Sequence, residues 1–232
     1  MKDFFKAYKL YFKTAYSPGF AILAIFMLLF NLLAVFGLGY AYKYDDGGGF
    51  NGTETSMYVV PAFLHLYFLF FFQRYNRITQ NKFFLSLKNA KLFYTITPMA
   101  VIGSILLIYD ILTFIISLVL FGGEYAGDLF IVYASCTVMN TLAHITQEMP
   151  KLSVLCGIAY SVSFVFTLPV ISTVMGYNQG LGLPLEADIL ISLGIYTVGA
   201  ALIIGIMNLW WHKSGRNLKF KEKRKSILGI EF

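Results

Sequence analysis

The chain has 232 residues, of which 58% are hydrophobic, 18% aromatic and only 13% charged. This composition excludes an ordinary soluble enzyme domain and indicates a polytopic membrane protein. At roughly 20 residues for each crossing, the length allows about six spans with short loops and no separate soluble domain. The net charge of +6 is therefore assigned to one membrane face, and no nucleic-acid partner is expected.

The basic residues predict the topology. Of the 18 Lys and Arg residues, four lie in residues 2–13, five in residues 74–91 and seven in residues 213–225. Because cytoplasmic loops hold an excess of Lys and Arg, all three segments are predicted to be cytoplasmic. The loops on the other side hold most of the acidic residues: Asp45, Asp46, Glu54, Glu124, Asp128, Glu186 and Asp188. This asymmetry predicts an even number of spans, six, with both termini inside.

Residues 1–18 form the first predicted element. Two rows of side chains keep a helical spacing on adjacent faces: Lys2, Lys6, Lys9 and Lys13, and beside them Phe5, Tyr8, Phe12 and Tyr16. The pattern predicts an interfacial amphipathic helix whose aromatic face enters the headgroup boundary while its lysines meet anionic lipid. An ordinary basic flank of the first span is the alternative, but it leaves the two-faced spacing unexplained.

Residues 19–211 are predicted to form an all-α domain of six transmembrane helices. The spans run at about 20–40, 57–72, 94–121, 129–146, 152–175 and 189–211. The second span is short and holds Pro61 near its outer end, whereas glycines and prolines interrupt residues 167–184. That interruption indicates a re-entrant or outer-leaflet element, although a plain hairpin explains its middle. Residues 212–232 are predicted to be a basic cytoplasmic tail.

The cytoplasmic loop at residues 73–93 combines charge with large apolar groups. It holds five basic and no acidic residues, yet it also contains Phe83, Phe84, Leu85 and Leu87. Apolar groups in so basic a loop need a burial site, which is either the lipid surface or a groove on a partner protein.

Ionisable side chains inside the predicted spans are few. Asp110 lies in the third span, and a carboxylate at that depth costs about 2.5 to 3.5 kcal/mol, so it should face the bundle or a watery cavity and have a partner or a proton. His65 in the second span is the other candidate of this kind. Both are candidates for a translocation path, together with Phe68 and Phe166. The alternative for all four is a structural role in packing or lipid contact.

Enzymatic chemistry is not expected in this chain. His144 and Glu148 are four residues apart, but a metal site needs at least one further ligand. Cys136 and Cys156 lie in apolar runs and give no disulfide framework. No nucleophile elbow and no G-x-x-x-x-G-K-[ST] loop occurs in the sequence. No catalytic residue, metal site or nucleotide site is therefore predicted.

The layout and the string NKFFLSLKNAKLFYTITP, residues 81–98, resemble the membrane subunits of ABC-2-type transporters, which are exporter permeases. The resemblance covers the whole chain as a layout. It implies that the loop at 73–93 forms a coupling helix that docks on a cytoplasmic ABC ATPase. The implied contacts are Lys82, Phe83, Phe84, Leu87, Lys88 and Lys91, with Glu148 in a second, shorter loop.

The resemblance also implies that ATP and Mg²⁺ are bound by the partner ATPase and that this chain carries no cofactor. It implies a second membrane subunit, either a copy or a paralogue, in a bacterial plasma membrane. Small outer loops resemble those of exporters of hydrophobic peptides, such as the phenol-soluble-modulin or bacteriocin type. Two alternatives stay open: a secondary transporter or channel-like protein, and an immunity or scaffold protein without an ATPase.

Overall fold

A computed structural model describes residues 2–15, 18–44, 60–62, 64–65, 90–148 and 183–213. The helices are α1 (Lys2–Ala15), α2 (Pro18–Tyr44), α3 (Ala90–Tyr94), α4 (Ile96–Phe121), α5 (Gly123–Glu148) and α6 (Leu185–Lys213). Residues 60–62 and 64–65 are also helical. No strand occurs in these parts of the chain, which confirms the all-α prediction for them.

The helices extend beyond the spans drawn from hydropathy. The α5 helix begins at Gly123, whereas the fourth span was expected from about 129, and α6 begins at Leu185 rather than about 189. The expectation that Glu124, Asp128, Glu186 and Asp188 lie in loops is wrong, since all four lie within α5 and α6. Glu124, Glu186 and Asp188 occupy the first turns. Acidic side chains are favourable there because the helix dipole is positive at its N-terminus.

Two helical stretches, Ala90–Phe121 and Leu185–Lys213, are long and apolar enough to cross a membrane. Only 28% and 17% of their most apolar windows are buried within the described chain. A core helix of a soluble protein buries most of such a surface, whereas most of these two windows is exposed among the described residues. Large apolar side chains are also exposed along α2, among them Ile22, Phe26 and Leu33.

A single turn at Thr95 separates α3 from α4. Proline has no N–H, so Pro98 cannot donate to the carbonyl of Tyr94, and the regular helical ladder is interrupted there. The Thr95 side chain and backbone N–H both donate to the carbonyl of Lys91, at 2.6 and 3.0 Å. Pro98 itself lies in the first turn of α4, where a missing N–H is tolerated.

One residue, Gly122, connects α4 to α5. Its φ of 104° lies in the region that favours glycine, and it reverses the chain without a longer loop. The ammonium group of Lys43, at the end of α2, donates to the carbonyl of Leu120 at 2.7 Å. A cation at this position satisfies a terminal carbonyl and complements the negative end of the α4 dipole.

The α1 helix packs against α3 and α4. Tyr11 is buried and its ring lies 5.7 Å from that of Phe93, while the Tyr8 hydroxyl donates to Ser104 Oγ at 2.8 Å. The ring of Tyr94 stacks at 6.0 Å on Trp211 near the end of α6. We call Tyr11, Phe93, Tyr94, Trp210 and Trp211, with the aliphatic side chains packed on them, the basal aromatic core.

The α5 helix packs along both α4 and α6, and glycines permit its closest approach to α6. A Cβ added to Gly199 on α6 would lie 2.5 Å from both methyl carbons of Val138 on α5. A valine in a helix is held near one rotamer, so it cannot move aside from such a clash. Gly205, six residues further along α6, has no atom of the described residues within 4 Å of the same position.

The pair Gly199 and Gly205 gives a matched test of this packing. We expect Gly199→Ala to destabilise the protein by about 1–3 kcal/mol, because the added methyl overpacks the α5–α6 contact. Gly205→Ala should be neutral or stabilising by up to about 1 kcal/mol, since alanine favours a helix. Thermal unfolding of the purified protein in detergent measures both. Equal midpoints for the two variants would contradict the close α5–α6 contact.

Candidate functional site

The candidate site is a network of hydrogen bonds centred on Asp110, midway along α4. Its side chain is 0% exposed and its carboxyl group accepts three bonds from three different elements. His65 lies 2.8 Å from Oδ1, the Tyr196 hydroxyl of α6 donates to Oδ2 at 2.7 Å, and Thr137 of α5 also donates to Oδ2. Three donors and no described acceptor match the ionised, acceptor-only form of the side chain.

The contacts of His65 determine its tautomer. Its Nε2 lies between two acceptors, Asp110 Oδ1 at 2.8 Å and Thr137 Oγ1 at 3.3 Å, because the Thr137 proton is already given to the carboxylate. Its Nδ1 faces the amide nitrogen of Asn140, a donor, at 3.1 Å. Nε2 therefore carries the hydrogen and Nδ1 accepts, which makes the imidazole neutral in this arrangement.

Side chains of α2 and α5 hold the backbone around His65. Asn31 donates to the carbonyl of Pro61 at 3.1 Å, and Asn140 donates to the carbonyl of His65 at 3.0 Å. The Asn31 side-chain oxygen in turn accepts from the Tyr133 hydroxyl. Because these two carbonyls accept hydrogen bonds from side chains of other helices, the positions of Pro61 and His65 depend on α2 and α5.

Tyrosine rings enclose the imidazole. The ring of Tyr133 lies 4.8 Å and that of Tyr109 lies 5.9 Å from His65, and the two tyrosines stack on each other at 6.0 Å. Val35, Ala62, Leu129, Val132 and Cys136 complete this second core. The network thus lies in a dry, aromatic environment, where hydrogen bonds are stronger than in water and an unpaired group is costly.

The chemistry open to this arrangement is the movement of protons and of polar contacts. The hydroxyl groups of Thr137 and Tyr196 both donate to the carboxylate. Among the described residues, no group of three or more His, Cys, Asp or Glu side chains could hold a metal ion. The two ionisable members, His65 and Asp110, are the groups that can change charge.

The structure brings two predicted site residues together. His65 and Asp110 were expected separately as ionisable groups inside spans; Asp110 is buried, and His65 lies 2.8 Å from its carboxylate. Lys91 is exposed on α3, and Glu148 is the last residue of α5. The other predicted site residues lie outside the described part of the chain: Phe68, Lys82, Phe83, Phe84, Leu87, Lys88 and Phe166.

Sequence reasoning missed Thr137, Asn140 and Tyr196. Thr137 and Asn140 are three residues apart, so they share one face of α5, and that spacing could have marked them. Tyr196 has no comparable signal, because a tyrosine in a membrane-length helix is also common as an aromatic packing residue.

Removing the carboxylate tests the network. We expect Asp110→Ala to lower the free energy of unfolding by about 3–5 kcal/mol, because three buried donors lose their common acceptor. Ser117→Ala, two turns further along α4, should change it little, since Ser117 Oγ is buried and has no hydrogen-bond partner among the described residues. Thermal unfolding in lipid nanodiscs measures both; equal effects would argue against the network.

Comparison of the chain with protein-family models, with curated proteins and with solved structures finds no match. The function of the chain must therefore be inferred from its own residues and their geometry.

Proposed function

We propose that the chain is the permease subunit of an ATP-driven exporter, a six-span protein of a bacterial plasma membrane with both termini in the cytoplasm. In this proposal a separate ABC ATPase hydrolyses ATP and a second membrane subunit, either a copy or a paralogue, completes the transporter. The observation that carries the proposal is the basal aromatic core, which joins α1 to the end of the segment at residues 73–93.

The α3 helix supplies this connection. It begins at Ala90 and ends at Tyr94, so its residues are the last of the basic segment and lead directly into α4. Lys91 is exposed, whereas Phe93 is buried against Tyr11 of α1. A force applied to the basic segment would therefore reach α1, α4 and α6 through packed aromatic rings, which supports a role for this segment in coupling.

The side chains of α1 support an interfacial location. At 100° per residue, Lys6 and Lys9 lie opposite Tyr11, and both are exposed. Phe5 and Phe12 are exposed, and they lie on the helix face between these lysines and Tyr11. A helix lying at the membrane surface with its lysines toward water and anionic headgroups would place these phenylalanines in lipid while Tyr11 packs on the bundle.

A hydrophobic or amphipathic peptide is the proposed substrate. ATP-driven closure of the ATPases would push on residues 82–91 and move the second span, which carries His65. His65 and Asp110 are buried within one chain, so in this mechanism they act in the interior of the moving bundle. Phe68 and Phe166 remain candidates for the path itself.

Acidic substitution of the coupling segment tests the proposal. Phe83→Asp combined with Phe84→Asp places charge where an apolar anchor is proposed, and we expect loss of the ATPase that copurifies with the wild-type chain. Ile227→Asp with Leu228→Asp is the matched control, since it alters an adjacent apolar pair in the basic tail. The proposal fails if the wild-type chain, expressed with its genomic neighbours, retains no ATPase, or if the Phe83 and Phe84 variant retains it.

The buried ionisable pair favours a second candidate function, a secondary transporter coupled to protons. Ionisable groups at membrane depth are characteristic of proton relays and coupling-ion sites, and His65 with Asp110 forms such a pair. Proton flux through the purified chain alone, reconstituted in liposomes with an imposed pH gradient, would support this candidate. Flux that disappears in Asp110→Asn and requires no ATPase would contradict the exporter proposal.

A further inference from the structure

We infer that the network is a proton-binding site, in which His65 takes up a proton at Nδ1 and Asn140 responds by reversing its side-chain amide. The inference concerns the described atoms of one chain and does not depend on an ATPase partner. It rests on two opposed features of the geometry. The charge of the carboxylate favours protonation of the imidazole, and the orientation of Asn140 opposes it.

The charge balance favours uptake of a proton. With a neutral imidazole, the ionised carboxylate is the only charged group of the network, and it lies fully buried between four segments. Three hydrogen bonds offset part of the cost of burying that charge, but no described cation is paired with it. A proton on His65 would convert the contact of 2.8 Å into an ion pair of zero net charge.

The Asn140 amide opposes that change. Its nitrogen donates to two acceptors at once, Nδ1 of His65 at 3.1 Å and the backbone carbonyl of His65 at 3.0 Å. The carbonyl accepts only, so it determines which end of the amide points toward His65. A hydrogen on Nδ1 would then face the amide hydrogens, and the side chain would have to reverse so that Oδ1 accepts the new N–H.

Among the described contacts, the bond to the carbonyl of His65 is the one that opposes such a reversal. Asn140 Oδ1 is buried and has no hydrogen-bond partner among the described residues. After reversal, Oδ1 would accept from Nδ1–H, but the carbonyl of His65 would face an oxygen and lose its donor. The carbonyl of Pro61 would keep its bond from Asn31, and the carbonyl of His65 would lose its bond from Asn140 of α5. Protonation is therefore linked to a weaker attachment of this segment to α5.

Further titratable side chains face this pair from α4, α5 and α6, and α2 contributes the uncharged Asn31. They are Tyr109 on α4, Tyr133 and Cys136 on α5, and Tyr196 on α6. Each is neutral when protonated, and a hydroxyl or thiol in a dry core is a poorer site for charge than an imidazole paired with a carboxylate. The proton that changes the state of the network is therefore assigned to His65.

Nitrogen NMR tests the proton-binding site directly. The chain has three histidines, so His144→Gln with His212→Gln leaves His65 as the single histidine. With ¹⁵N-labelled histidine in lipid nanodiscs, we expect a hydrogen on Nε2 alone at alkaline pH and hydrogens on both nitrogens after acidification. A hydrogen on Nδ1 alone at alkaline pH, or a ring that stays neutral until the protein unfolds, would overturn the inference.

Asn140 variants test the linked response. Asn140→Asp supplies an acceptor for Nδ1–H, so the pH at which His65 gains its second hydrogen should rise by about one unit or more. Thr141→Val is the matched control, because Thr141 is also buried on α5 but donates only to the carbonyl of Thr137; its titration should match that of the wild type. Equal titrations in the Asp variant and the wild type would overturn the role of Asn140.

Hydrogen exchange provides a readout that remains if Asn140→Asp does not fold. In the wild-type chain, we expect the amides of residues 60–65 to lose at least about fivefold protection on acidification across the titration of His65, after correction for intrinsic exchange; this corresponds to the loss of about one hydrogen bond. Residues 101–106 of α4, none of which makes a hydrogen bond to His65 in the described chain, are the internal control. Unchanged protection of residues 60–65 would overturn the linkage.

Discussion

The arrangement of the described helices depends on one buried carboxylate, which accepts three hydrogen bonds. Asp110 is the point where α4, α5, α6 and the segment around His65 meet, and each of the other three contributes a donor. Apolar helices in a lipid environment have little preference for one another, since lipid tails are as apolar as leucine. A polar centre of this kind gives such helices a defined arrangement, because only one register satisfies all of its members.

Two hydrophobic cores pack the helices around this centre. The basal aromatic core fixes α1 and α3 to the ends of α4 and α6, whereas the tyrosine-rich second core surrounds the polar network and includes α2. The α5 helix approaches α6 closely at Gly199, where the side chain of Val138 occupies the space that a Cβ would need. The first core thus links the helix ends to one another, and the second encloses the imidazole of His65.

The sequence predicted the helical class and the unusual character of Asp110, because the cost of a carboxylate at membrane depth depends on little except its location. It could not predict the partners, since the pairing of His65 with Asp110 joins residues 45 positions apart and depends on how the segment around His65 packs against α4. The α5 and α6 helices begin before the spans drawn from hydropathy, and the reason is local. A span drawn from hydropathy leaves out acidic residues such as Glu124 and Glu186, yet the first turn of a helix accommodates them well.

The single-residue connection at Gly122 divides the polar network into two parts. With only one residue between them, α4 and α5 form a hairpin, and Asp110 of one arm accepts a hydrogen bond from Thr137 of the other. The other two donors, His65 and Tyr196, belong to segments joined to this hairpin through much longer stretches of chain. The carboxylate therefore receives one donor from its own hairpin and two from elements that only tertiary packing brings to it.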